Sequence, residues 1–88
     1  MTKIKGKSVL ITGGASGIGR IMGRMALEKG ARCLIIWDIN EVNIASTKTE
    51  FAPLGRVEGY VVNVADTEAV ITTHHRVKDE CGAVDILI

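Results

Sequence analysis

The stretch Thr12–Gly19, TGGASGIG, holds four of the chain's ten glycines. It follows the apolar run Ser8–Ile11 and precedes an apolar pattern of helical period. Glycines raise the entropy of the unfolded chain, so four of them at a strand-to-helix junction imply a backbone requirement. That requirement is either a tight turn or a backbone that a ligand can approach closely. Junctions of this kind bind ligands in open α/β sheets, because a helix N-terminus carries unpaired N–H groups and partial positive charge.

The rest of the chain places the junction in such a sheet. Residues 17–29 carry Ile18, Ile21, Met22 and Met25 at helical spacing, and Gly30 follows as a stop. The run RCLIIWD, Arg32–Asp38, reads as a buried strand. Asn40 can cap a helix running to about Ala52, with Pro53 and Gly55 ending it, although Val42, Ile44, Ala45 and Phe51 make an imperfect stripe. Arg56–Val64 reads as a third strand around Val57, Val61 and Val62. Asp66 is a natural cap for a helix whose inner face is Val70, His74, Val77 and Cys81, with Gly82 as its stop, and AVDILI opens a fourth strand. The order βαβαβαβ predicts an α/β fold, one half of a doubly wound parallel sheet. Near-continuous apolar strands fit a sheet covered on both faces.

Composition narrows the function classes. A net charge of +1 with mixed signs leaves no basic stripe for nucleic acid, and 3% aromatics argue against base-stacking surfaces. The start, Met1–Lys7, is basic but too short and polar for a signal peptide, and no apolar run approaches the roughly 20 residues of a membrane span. Cys33 and Cys81 sit inside apolar segments and read as buried thiols, which makes the cytoplasm the expected compartment. His74 and His75 point about 100° apart on a helix and lack nearby ligand partners, so no metal site is expected. His74 reads as partly buried and His75 as a surface residue.

The glycine pattern discriminates between phosphate loops. Gly14 and Gly19 have P-loop separation, but Arg20 and Ile21 stand where that motif needs Lys and Ser or Thr. Gly-x-Gly-x-x-Gly fails at Met22. Thr-Gly-x-x-x-Gly-x-Gly fits, filled by Thr12, Gly13, Gly17 and Gly19. Asp38 lies roughly 20–25 residues beyond these glycines, at the end of the second strand, where a dinucleotide site places its ribose-binding acid. Asp38 can equally be a turn residue or cap ahead of Asn40.

The chain resembles the short-chain dehydrogenase/reductase family along its whole length. GKSVLITGGASGIGR is similar to the family's first strand, loop and helix start, and WDIN to the end of its second strand. VVNVAD sits where an Asp-Val pair is common, and CGAVDILI is similar to the lead into the fourth strand. The resemblance implies an incomplete Rossmann dinucleotide-binding domain over residues 1–88. It implies cofactor-binding roles for Gly13, Ser16, Gly17, Ile18, Gly19, Asp38, Ile39, Asn63 and Val64. Family NADP sites often carry Arg or Lys where this chain has Ser16 and Ile39, and Asp38 would repel the extra phosphate, so the implied cofactor is NAD. Asn63 stands in place of the commoner Asp at the adenine pocket, with Val64 beside it. Asp85 resembles a position with a structural role in the sheet. WDIN is also similar to members acting on hydroxysteroids or retinoids, but four residues do not assign a substrate.

In the family, an Asn-Asn-Ala-Gly turn, a catalytic Ser and a Tyr-x-x-x-Lys motif follow the fourth strand. None of them occurs in these 88 residues, where the only tyrosine, Tyr60, is followed at position 64 by Val. The implied function is thus NAD(H) binding within an enzyme that transfers hydride between nicotinamide and an alcohol/ketone pair. The 88 residues alone are expected to be inactive. A fragment, a truncated gene product and part of a longer enzyme all fit, and the alternative function is a non-catalytic nucleotide-binding or assembly module. An uncovered fourth strand, with Ile86, Leu87 and Ile88 at its edge, predicts association into a homo-oligomer or with a missing half.

Overall fold

The computed structural model describes residues 3–88; Met1 and Thr2 of the basic start lie outside the described residues. The chain runs β1 (Ser8–Thr12), α1 (Gly17–Glu28), β2 (Cys33–Asp38), α2 (Glu41–Phe51), β3 (Val57–Val61), α3 (Thr67–Cys81) and β4 (Ile86–Leu87). A 3-10 turn at Ala52–Leu54, containing Pro53, ends α2. The predicted alternation is present. The strands form one parallel sheet in the order β3-β2-β1-β4.

This order sets the layers. From β1 the chain steps to β2 and then β3 in one direction, so right-handed crossovers put α1 and α2 on the same face. The return to β4, on the other side of β1, puts α3 on the opposite face. The period-2 alternation of side chains then divides the core. Val9, Ile11, Leu34 and Ile36 pack with Ala26 and Leu27 of α1 and Ile44 and Phe51 of α2. Leu10, Cys33, Ile35 and Trp37 pack with Tyr60, Val62 and the α3 residues Val77 and Cys81. Burial of Phe51 alone contributes about 2–3 kcal/mol.

Strand ends differ from the sequence reading. The third strand stops at Val61, where its ladder with β2 ends at Asp38↔Val61, so Asn63 and Val64 belong to the following loop. The second begins at Cys33, and the fourth is only Ile86–Leu87, paired with Val9 and Leu10. Asp85 anchors its approach: its carboxylate accepts the Ser8 N–H at 2.8 Å, and its own N–H donates to the Ser8 carbonyl at 3.0 Å. Arg32 adds bonds to the Ser8 hydroxyl and the Cys81 carbonyl.

The inner face of α1 is not the predicted apolar stripe. Gly23, Ala26 and Leu27 are buried and Met22 is half-buried, whereas Ile18, Ile21 and Met25 are exposed. The reason is distance: a Cβ on Gly23 would stand 2.9 Å from Leu34 Cδ2, so the helix lies too close to the sheet for large residues there. On α2, Ile44, Thr47 and Phe51 are buried while Val42 and Ala45 face outward. On α3, Thr73 joins Val77 and Cys81, and His74 is exposed rather than partly buried. Gly30 ends α1 as predicted, in the left-handed region at φ 88°, with Ala31 N–H donating back to the Ala26 carbonyl at 3.1 Å. Among the described residues no helix is long and apolar enough to cross a membrane.

Candidate functional site

The glycine loop leaves the C-terminal end of β1 beside the point where the strand order reverses, between β1 and β4. Such a switch point is where open α/β sheets hold ligands. Gly13 N–H donates to the Trp37 carbonyl at 2.7 Å, which hangs the loop on the end of β2. On the other side, the Thr12 N–H and hydroxyl both donate to the Ile88 carbonyl, at 3.1 and 3.2 Å.

The four glycines meet two different needs. Gly13 and Gly17 have φ of +69° and +53°, and a Cβ on either would meet nothing within 4 Å. Their backbone is left-handed and faces open space. Gly14 and Gly19 are close-packed instead: a Cβ would lie 3.0 Å from the Ile11 carbonyl oxygen at the first and 2.3 Å from the Gly13 carbonyl oxygen at the second. Gly19 therefore lets the first turn of α1 sit against the loop. Ser16 occupies the N-cap of α1 but makes no side-chain cap bond, and the first turn holds no acid. The N–H groups there keep their capacity for an incoming acceptor.

A cleft of about 450 Å³ opens from this turn across the ends of β2 and β3. Six of the residues singled out from sequence line it: Gly13, Ser16, Asp38, Ile39, Asn63 and Val64. Gly17, Ile18 and Gly19 begin the adjoining helix rather than line the cleft. Thr12, named in the loop motif without a binding role of its own, also lines it, as do Trp37 and Val62, to which sequence reasoning gave no role at the site. Trp37 packs its side chain in the α3-side core, while its carbonyl accepts the Gly13 N–H at the mouth of the cleft. Ile39 and Val64 are exposed, apolar walls at the cleft's rim. No Lys or Arg lines the cleft among the described residues, and Arg20, the nearest in sequence, is ion-paired with Glu50.

Asp38 is only 8% exposed. One carboxylate oxygen accepts the Ala15 N–H at 3.1 Å, and the other accepts the Asn40 N–H at 3.0 Å. The turn role and the loop contact thus coexist, and two of roughly four acceptor positions on the carboxylate are used. Asn63 is exposed, and its side-chain oxygen accepts the Ala65 N–H at 3.0 Å. Its NH₂ group remains available to a ligand.

Tyr60 belongs elsewhere. It packs on the α3 side, where its hydroxyl donates to Glu80 at 2.6 Å and lies 3.6 Å from the Cys81 sulfur. Burial and the Glu80 bond push its pKa far above the usual tyrosine range. Burial and the neighbouring Cys81 thiol likewise push Cys33 up to about 11. These are packed, protonated groups rather than reactive ones. Among the described residues no cluster of three His, Cys, Asp or Glu stands at metal-binding distance.

A family model described as short chain dehydrogenase matches residues 7–88. The 3-oxoacyl-(acyl-carrier-protein) reductase FabG of Vibrio harveyi is 35% identical over 85 residues, covering 97% of this chain and 34% of that protein. The human 17-beta-hydroxysteroid dehydrogenase 13 is 35% identical over 86 residues, covering 97% of this chain and 28% of the other. The crystal structure of NAD+-bound xylitol dehydrogenase superposes with a TM-score of 0.90 at 28% identity, over 98% of this chain and 33% of that one. A short chain dehydrogenase from Mycobacterium smegmatis gives 0.88 at 39% identity, over 97% of this chain and 36% of its own. The chain thus spans about a third of the length of these relatives. A parallel sheet in this order, a Thr-Gly-x-x-x-Gly-x-Gly loop at its switch point and a family match over residues 7–88 together make this chain a member of the short-chain dehydrogenase/reductase family.

Proposed function

We propose that the cleft binds NAD(H), and that the chain is the cofactor-holding segment of an oxidoreductase that transfers hydride between nicotinamide and an alcohol/ketone pair. The observation that carries this reading is the uncapped start of α1. The open, left-handed Gly13 and the cap residue Ser16 line the cleft that Asp38 borders, and Gly17, equally open, starts the helix beside it. The pyrophosphate would lie against that turn, held by backbone N–H groups. The unused acceptor capacity of Asp38 would take the ribose hydroxyls. The adenine would sit between Ile39 and Val64, with the Asn63 NH₂ donating to a ring nitrogen. Bound there, the nicotinamide supplies hydride transfer; this chain's own residues bind and orient the nucleotide.

NAD(H) is favoured over NADP(H) because Asp38 is a carboxylate and neither Ser16 nor Ile39 offers a cation. Trp37, the only tryptophan, lines the cleft and can report binding by fluorescence. Titration with NAD+ and NADP+ at one salt concentration should give the tighter constant to NAD+; equal or tighter NADP+ binding would overturn the assignment. The 88 residues contain no Tyr-x-x-x-Lys pair, so no turnover is expected from the chain alone with secondary alcohols. NADH absorbance checks this. We propose the cytoplasm as the compartment, on the reading of Cys33 and Cys81, both buried in the core, as packing thiols.

A further inference from the structure

The Asp38 carboxylate reaches the glycine loop across 23 residues of sequence, and it meets a donor that has no obvious substitute. Ala15 is 1% exposed, and its N–H points at Asp38 Oδ2 in a buried bond of 3.1 Å. Ala15 sits between the two glycines, Gly13 and Gly17, whose left-handed backbone opens the loop. The second oxygen takes the Asn40 N–H, and Asn40 in turn caps α2 through its own side chain, 2.9 Å from the Asn43 N–H. A single carboxylate therefore ties the middle of the loop to the start of the next helix. Removing it would strand a buried donor at Ala15, which carries the full desolvation penalty and leaves the loop free to move.

We propose that Asp38 is a positioning residue for the pyrophosphate: it holds the glycine loop in its phosphate-receiving conformation, in addition to accepting the ribose hydroxyls. The proposal rests on reading the cleft as a dinucleotide site. It has a consequence for cofactor exchange. Replacing Asp38 to admit NADP also releases the loop, so the exchange weakens phosphate binding at the same stroke.

Inorganic pyrophosphate separates the two roles, because it has no ribose. If Asp38 served the ribose alone, Asp38→Ala would leave pyrophosphate affinity unchanged or tighten it by removing a negative charge nearby. The positioning role predicts a loss of about tenfold, the worth of one hydrogen bond to a charged group. Amide hydrogen exchange gives a second readout. Ala15 N–H should be protected in the wild-type chain and exchange rapidly in Asp38→Ala, while the β-sheet amides of Leu10 and Ile35 keep their protection. Asp38→Asn, which retains one acceptor oxygen, should be intermediate in both measurements, and it carries the test if the alanine variant does not fold. Unchanged or tighter pyrophosphate binding together with slow Ala15 exchange in these variants overturns the proposal. A wild-type chain that binds NAD+ but shows no difference at Ala15 overturns it as well. Failure of the wild type to bind either pyrophosphate or NAD+ instead overturns the dinucleotide reading, and Ala15 exchange then decides the loop-holding role by itself.

Discussion

The three α-helices of the described residues begin in two different ways. Helices α2 and α3 are closed at their N-termini: Asn40 accepts the Asn43 N–H, Asp66 accepts the Ala69 N–H, and each first turn carries an acid, Glu41 or Glu68. Helix α1 has Ser16 at its cap with no side-chain bond, no acid in its first turn, and glycine at two of its first three positions. Side-chain caps and acids satisfy the donors and dipole of a helix from within. Where the chain omits both, at the end of β1 and facing the cleft, the donors stay open for an anion from outside. The same local chemistry thus separates the helices closed at their starts from the one left open, which is the helix the proposed function assigns to the pyrophosphate.

The contrast can be broken most forcefully at Gly17. A Val there would fill the open approach and block about two N–H···phosphate bonds, a loss of about 3 kcal/mol or a hundredfold in NAD+ affinity. The left-handed φ of +53° adds a folding cost of about 1–2 kcal/mol, so the melting temperature should fall too, but by less than the binding. Fluorescence titration and thermal melts on the same variant check both parts.

Gly19→Ala inverts the pattern. Its Cβ would press on the Gly13 carbonyl oxygen, so stability should drop by about 2 kcal/mol through overpacking. A denaturant melt measures this, and an unchanged midpoint would remove the packing role of Gly19. Cap deletions sharpen the comparison further. Asn40→Ala and Asp66→Ala should each cost about 1 kcal/mol, whereas Ser16→Ala should leave the stability of the unliganded chain nearly unchanged. Equal losses at all three caps would erase the distinction between the helices. The smallest expected effect comes from adding the missing acid. Ile18→Asp should stabilise the unliganded chain by about 0.5 kcal/mol through the helix dipole while weakening NAD+ binding, so the two measurements should move in opposite directions.

The helix starts and most of the element order were legible because their causes are local. Asn40 and Asp66 act on N–H groups three residues away, and a strand run followed by glycines and a helical pattern announces the junction without tertiary help. Which loop glycines take a positive φ was not legible in this way: Gly13 and Gly17 do, whereas Gly14 and Gly19 are glycines for close packing. The lateral extent of the strands was less legible. Arg56–Val64 is apolar enough to continue as strand, but a parallel ladder lasts only as long as its partner, and β2 ends at Asp38.

What the sequence by itself determined is the alternation of strands and helices, the site of the glycine loop and the family it belongs to. Tertiary structure alone decided which face of α1 turns inward. Hydropathy favours Ile18, Ile21 and Met25, but close approach to Leu34 requires the small face of Gly23 and Ala26, and the distance between a helix and a sheet is not written in either one separately. It likewise decided that Asp38 holds Ala15 as well as Asn40. The Asn40 bond is a two-residue turn that residue type can suggest. The Ala15 bond exists only because β1 and β2 lie side by side in register, bringing a loop and a carboxylate 23 residues apart to 3.1 Å.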